Sequence, residues 1–336
     1  MKHMFNIRQY SKRAVISLLI LLASAFTSIA CHNQLSDPVQ PAANQSPCYT
    51  VEHSMGATCV PDNLQNIVTL YTPPLASLLA VGVEPIGITP VTGIILGEFP
   101  AYFPNQVHNI ELVANISDEP NLEKILQLKP DLILGWSHHS KIYSLLSKIA
   151  PTLLPETDSD ATLWSNWQSY FKFVATSIGK EAEAENFIRE YQQSIFDLKA
   201  DLENKYNDKT ISVAHISDKY GIAAYANNSF SGSILSSLGL KRPELQDKSV
   251  QPRGAIEAIS TERIDLIDGD ILFVLTFSEN DTETLENLLD RPLWRNLKAV
   301  QQERVYFVDG WTWVVPNPLA AQAVVEDLRT YLLGSP

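Results

Sequence analysis

Three short stretches gather side chains of the kind that hold a ligand. Trp136 is followed by Ser137, His138 and His139; Asp309 and Gly310 lead into Trp311, Thr312 and Trp313; and Tyr225 lies in Tyr220-Gly-Ile-Ala-Ala-Tyr-Ala. A fourth, Gln251-Pro-Arg253-Gly, places one guanidinium in a loop. Aromatic faces cover the apolar parts of a bulky ligand, while imidazole or guanidinium donors meet its oxygens. Each candidate has a plainer alternative: a core tryptophan at Trp136, a solvated pair at His138 and His139, and a surface charge at Arg253. Arg242, at a helix end before Pro243, reads as structural. Covalent chemistry has no counterpart motif. There is no Gly-x-Ser-x-Gly elbow, His-Glu-x-x-His, P-loop or Rossmann glycine fingerprint. The residues point to binding and not to an enzyme, with no cofactor and no metal held by protein ligands.

These candidates must be positioned by the elements around them. Asn66–Tyr71, Pro85–Thr89 and Asp131–Trp136 read as strands, Leu75–Val81 and Leu122–Leu128 as helices. Leu163–Ile178 reads as a helix with Trp164, Trp167, Phe171 and Val174 on one stripe. After Gly179, apolar residues at Ala184, Phe187, Ile188, Tyr191, Ile195, Leu198 and Leu202 recur in steps of three and four. They predict one long amphipathic helix over 181–205. Alternation resumes at Thr210–Ile216 and ends in a helix over 318–332. The expected architecture is α/β with mainly parallel sheets: lobes over 48–178 and 206–336 flanking the long helix. Residues 121–134 and 260–273 align without a gap, each reading as a helix with Glu-(Lys/Arg)-Ile, a turn, and an Asp opening a buried strand.

The N-terminus bounds the location. Residues 1–30 hold four basic residues (Lys2, Arg8, Lys12, Arg13), no acidic ones, and an apolar run from Ala14 to Ala25. This is a secretory signal peptide pattern, with an apolar run shorter than the roughly 20 residues of a membrane span. Cys31 follows Ala30, where bacterial lipoproteins carry their lipid. Ser28 stands where leucine is usual, and plain cleavage to a soluble product is the alternative. Residues 31–47, rich in Pro, Asn, Gln, Ser and Ala, read as a flexible tether. An exported, membrane-anchored lipoprotein on the periplasmic or cell-surface side is expected. A formal charge of −13, more acidic still after cleavage, excludes a nucleic-acid partner, because such affinity rests on Lys and Arg. Cys48 and Cys59 flank a segment that reads as a disulfide-stapled hairpin. The rival is a metal set with His53, although the spacing matches no common zinc pattern.

The chain resembles the substrate-binding proteins of iron-siderophore and cobalamin ABC importers. The matching stretches are Leu122–Leu134, Gly232–Pro243 ending Leu-Gly-Leu-Lys-Arg-Pro, Ile259–Leu275, and Pro292-Leu-Trp-Arg-Asn-Leu-Lys-Ala-Val300 with Arg304-Val-Tyr-Phe-Val-Asp309. His53–Pro61 is similar to the opening of the ferric-siderophore branch. The resemblance spans nearly all of 48–333. It implies two Rossmann-like α/β lobes joined by a single long rigid helix, the helical-backbone (class III) type, acting as a monomer. It also implies a ferric chelate as ligand, a hydroxamate or citrate-hydroxamate complex being favoured. A siderophore satisfies its own iron, so the protein supplies only aromatics and donors: Trp136, His138, Tyr225, Arg253, and one of Trp311 and Trp313, the other packing with its ring on the opposite face. Glu123 and Glu262, at equivalent points of the repeated unit, would dock the permease dimer of the importer. The Arg that some hydroxamate-binding members carry before Asn-Leu-Glu is absent from Ala114–Glu123, which leaves the first lobe without that anionic anchor and weakens any specific siderophore assignment; the low count of candidate cleft arginines argues against a triply charged catecholate. Haem (with His108, His138, His139 or Tyr102 as axial ligand), cobalamin or a bare metal ion are other cargoes. A structural or adhesive surface lipoprotein is the alternative from another class.

Overall fold

The computed structural model describes residues 47–89, 102–103, 107, 110–114, 119–155, 166–203, 205–217, 221–250, 253–278 and 292–334. The signal peptide, Cys31, most of the tether, His108 and Trp164 lie outside them. The chain divides into two units, Met1–Pro47 and Cys48–Pro336. All elements named here belong to the second. Among the described residues, no helix is long and apolar enough to cross a membrane.

A hairpin comes first. β1 (Cys48–His53) pairs antiparallel with β2 (Gly56–Pro61), and a disulfide joins Cys48 to Cys59. Gly56 supplies the positive φ of 109° that the turn needs. The bonded cysteines rule out the metal set, and His53 is buried with its Nε2 2.8 Å from the Thr58 hydroxyl.

The first sheet contains β3 (Ile67–Thr69), β4 (Gly87–Ile88), β5 (Glu111–Leu112), β6 (Leu132–Leu134) and β7 (Thr152–Leu153). Its order is β5-β4-β3-β6-β7, and every pair is parallel. Helix α1 (Thr72–Ala80) follows β3, and α2 (Leu122–Leu128) precedes β6. Asn121 caps α2 by accepting the Lys124 N–H at 3.1 Å, and Lys129, in the left-handed region before Pro130, ends it.

Two helices then lead out of this sheet. α3 (Trp167–Thr176) ends two residues before the expected Ile178, and α4 (Glu181–Leu202) stops three residues before its expected end. At 22 residues α4 is about 33 Å long.

The second sheet contains β8 (Ile211–Ser217), β9 (Gly221–Tyr225), β10 (Ala255–Ile259), β11 (Ile271–Thr276) and β12 (Val305–Asp309), in the order β10-β9-β8-β11-β12. Helices α5 (Phe230–Ser237), α6 (Gly310–Val314) and α7 (Pro318–Leu333) complete it. This sheet departs from the expected parallel one. β8, β11 and β12 are parallel, but β9 folds back antiparallel on β8, and β10 is antiparallel to β9. A connection as short as 218–220 allows only an antiparallel return, because a parallel crossover needs a dozen residues or more. The repeated unit is also altered. Glu123 sits on a true helix, but Glu262 lies in a turn before a single 3₁₀ turn over Ile264–Ile267.

One apolar core runs through the frame. It holds Val81, Trp167, Phe171, Phe187 and Tyr191 together with Phe230, Phe273, Trp313, Val324 and Leu328. α7 turns back from the second sheet to pack on α1, α3 and α4. Phe171 is fully buried at the center of this seam, edge-on to Phe187 at 5.3 Å. Phe171→Ala is expected to cost about 3–5 kcal/mol. Because the core is shared, urea unfolding of the variant should remain one transition by both fluorescence and circular dichroism. Two separated transitions would refute a common core.

Candidate functional site

In a parallel sheet, ligands gather at the carboxyl ends of strands. In the first sheet that edge carries Tyr71 just beyond β3 and Trp136, His138 and His139 just beyond β6. The rings form a cluster: Tyr71 lies 5.4 Å from Trp136 and 5.2 Å, edge-on, from His138, and His138 lies 4.0 Å from His139. Trp136 is only 7% exposed, wedged between Tyr71 and Tyr170 at 4.8 Å. Its expected cleft-facing role is therefore corrected: it is the support, and half-buried Tyr71 and exposed His138 form the surface. Tyr71 was not singled out in the sequence, although it ends a strand just as Trp136 does.

His139 is buried, and its Nδ1 accepts the backbone N–H of Trp136 at 3.0 Å. That bond places the ring proton on Nε2. Burial, then the neighboring His138, push its pKa down to about 3. At Gly135 a Cβ would lie 2.5 Å from Leu154 Cδ2, so a larger residue there would require the Leu154 side chain to shift.

The second sheet carries a matching cluster. His215 near the end of β8, Phe277 beyond β11 and Trp311 beyond β12 meet edge to face, His215–Phe277 at 4.9 Å and Phe277–Trp311 at 5.0 Å. Gly310 lets α6 approach, because a Cβ would lie 2.6 Å from the Phe277 ring. Asp309 caps α6 through the Thr312 N–H at 2.6 Å. The two tryptophans diverge because α6 is helical; on extended backbone, residues two apart share a face. Trp313 is fully buried, tilted on Phe273 at 4.7 Å, and donates from Nε1 to Asp327 at 2.8 Å. It has no surface left for a ligand, so of the pair Trp311 alone remains a candidate. His215 and Phe277 escaped sequence reading because a single residue within or just past a buried strand carries no pattern.

Tyr225 and Arg253 lie apart from both ring clusters. Tyr225 ends the antiparallel strand β9 and pairs with Ala255, at the start of β10. Both residues thus lie toward the amino edge of β8, away from Trp311. Burial raises the Tyr225 hydroxyl pKa to about 12, and its carbonyl accepts from Arg242 at 2.7 Å. Arg253 is exposed. Arg242 is structural: it is buried, binding the carbonyls of Ile211 and Tyr225 and the Gln246 side chain. Tyr102 is a poor axial ligand, since the Asn317 amide engages its hydroxyl. Among the described residues no three His, Cys, Asp or Glu converge as a metal site. Glu123 and Glu262 are both exposed, each following the carboxyl end of a strand in its sheet, β5 and β10.

A family model described as Periplasmic binding protein matches residues 67–310, and the chain belongs to that family. Among its relatives, Probable siderophore-binding lipoprotein YfiY of Bacillus subtilis is 31% identical over 333 residues, covering 96% of this chain and 99% of that one. Fe(3+)-citrate-binding protein YfmC of the same organism is 27% identical, covering 91% and 92%. Among solved structures, Staphylococcus aureus SirA complexed with staphyloferrin B has a TM-score of 0.70 at 28% identity, covering 85% of this chain and 98% of that one. The chain shares its two-lobed α/β fold with that solved structure.

His139 gives the fold a pH dependence. The unfolded ring takes a proton near pH 6.5, whereas the folded ring stays neutral down to about pH 3. Between those values the unfolded state binds more protons, so stability falls as pH drops. The loss from this group between pH 7 and 5 is about 2 kcal/mol. His139→Asn keeps an acceptor for the Trp136 N–H and should flatten the stability profile by that amount in denaturant titrations. An unchanged slope would reject this account.

Proposed function

We propose that this chain is the substrate-binding component of an ABC importer and captures a ferric siderophore outside the cytoplasm. The observation that carries this reading is the pair of aromatic–histidine clusters, one at the carboxyl edge of each sheet, in a chain of this family. A hydroxamate or citrate-hydroxamate complex already saturates its iron with its own oxygens. It needs stacking faces and neutral or cationic donors, which Tyr71, His138, His215, Phe277 and Trp311 offer. With Arg253 at the far edge and Arg242 engaged in the fold, few arginines remain to neutralize a triply charged catecholate.

Delivery to a permease dimer is assigned to Glu123 and Glu262. Two carboxylates on one frame suit two cationic pockets, and electrostatic complementarity of this kind sets register and encounter rate. The protein acts as a monomer, exported by the signal peptide at 1–30, lipidated at Cys31 and held by the tether at 31–47. Lobes at 48–178 and 206–336 move little about the helix, since the apolar seam must stay closed.

Intrinsic fluorescence titrated with ferric hydroxamates, ferric citrate and haem tests the cargo. Quenching by a ferric hydroxamate or citrate complex is expected, with Trp311→Ala weakening affinity at least about tenfold, or about 1.4 kcal/mol. Quenching by haem alone, or by none of them, would overturn the reading. Glu123→Ala combined with Glu262→Ala should leave affinity intact and cut uptake of the iron complex by cells. Normal uptake would remove the docking role.

A further inference from the structure

We infer that Asn317 and Tyr102 form a latch between the lobes that sets the separation of the two aromatic clusters. Asn317 lies three residues beyond α6, the helix that carries Trp311, and is 1% exposed. Its side chain is fully engaged. Oδ1 accepts the Ala320 N–H at 2.8 Å and caps α7, while Nδ2 donates to the Val315 carbonyl at 3.0 Å and to the Tyr102 hydroxyl at 3.1 Å. Tyr102 belongs to the other lobe, between β4 and β5, 215 residues away in sequence. Its ring is held against Phe103 at 4.6 Å and packs on the same buried cluster, Leu75, Ala76 and Ile88, that Leu319 of α7 also covers.

The two kinds of contact between the lobes differ in what they specify. The apolar seam holds the lobes together, but burial is non-directional and tolerates small rotations. A hydrogen bond has a preferred length and angle and weakens steeply away from them. The Asn317–Tyr102 bond therefore selects one lobe angle from those the seam allows. Burial raises the Tyr102 pKa, so the hydroxyl stays neutral and keeps its proton across the physiological range. The same asparagine ties this selection to the site, because its Val315 contact holds the end of the segment that follows Trp311. Both residues are positioning residues. Their effect on cargo rests on the siderophore-binding reading, whereas their effect on lobe angle does not.

Nitroxide labels at Ser144→Cys and Ser236→Cys, exposed positions in opposite lobes, report lobe separation in the full chain carrying Cys31→Ser. Tyr102→Phe keeps the ring and deletes only the acceptor. Asn317→Ser keeps a cap for α7 but is too short to reach Tyr102. Each is expected to broaden the distance distribution of the ligand-free protein, and the double variant should broaden it no further. Unchanged distributions in both single variants, or additive broadening in the double, would overturn the latch. Affinity for the ferric hydroxamate or citrate complex that quenches the parent should fall about fivefold in either variant. An unchanged affinity would remove the link to cargo. If the parent binds no ferric complex, the siderophore reading fails while the distance distributions still decide the latch.

Discussion

The structure depends on the apolar seam where α3, α4 and α7 meet. Neither sheet buries its own faces completely with its own helices. Phe171 and Trp167 from the first lobe share a core with Phe230, Phe273 and Leu328 from the second, and α7 crosses back to close it. A two-lobed protein connected by one helix alone would hinge there. Here the helix is one wall of a common interior, and interiors packed at crystal-like density deform little. The two clusters are therefore presented by a frame with few soft coordinates.

Much of that frame was legible from periodicity. α2 coincides with the segment read as a helix, Leu122–Leu128, because Asn121 before it and Lys129-Pro130 after it mark both ends in the sequence. The stripe from Ala184 to Leu202 defines α4 because a 3.6-residue repeat over that length has no competing explanation. Strand direction was not legible. Nothing in Gly221–Tyr225 says that it runs against β8; only the length of the connection does, and the apolar alternation is identical either way. That single reversal carries Tyr225 and Arg253 to the other edge.

The site was legible in place more than in orientation. An aromatic at the end of a parallel strand marks the binding edge, and Trp136 and Trp311 were found on that ground. Whether such a ring faces outward depends on neighbors distant in sequence. Tyr170 and Tyr71 enclose Trp136, and Phe273 with Asp327 encloses Trp313. Local pattern has no access to these partners, which lie between 14 and 65 residues away along the chain. Buried Trp136 nonetheless stands beside the surface ring of Tyr71 and limits its freedom.

The hairpin β1–β2 has a mechanical consequence. Any pull on the chain from its N-terminal side enters the body at Cys48, the first residue of β1. An antiparallel pair loaded at one end peels open one rung at a time, the weakest way to load it. The covalent link from Cys48 to Cys59 sits at that end and passes the load straight into β2. From there it spreads through the Ser54–Leu154 and Tyr49–Ser177 hydrogen bonds into the first lobe. Force entering at Cys48 is thus spread through the first lobe without the aromatic edges bearing it.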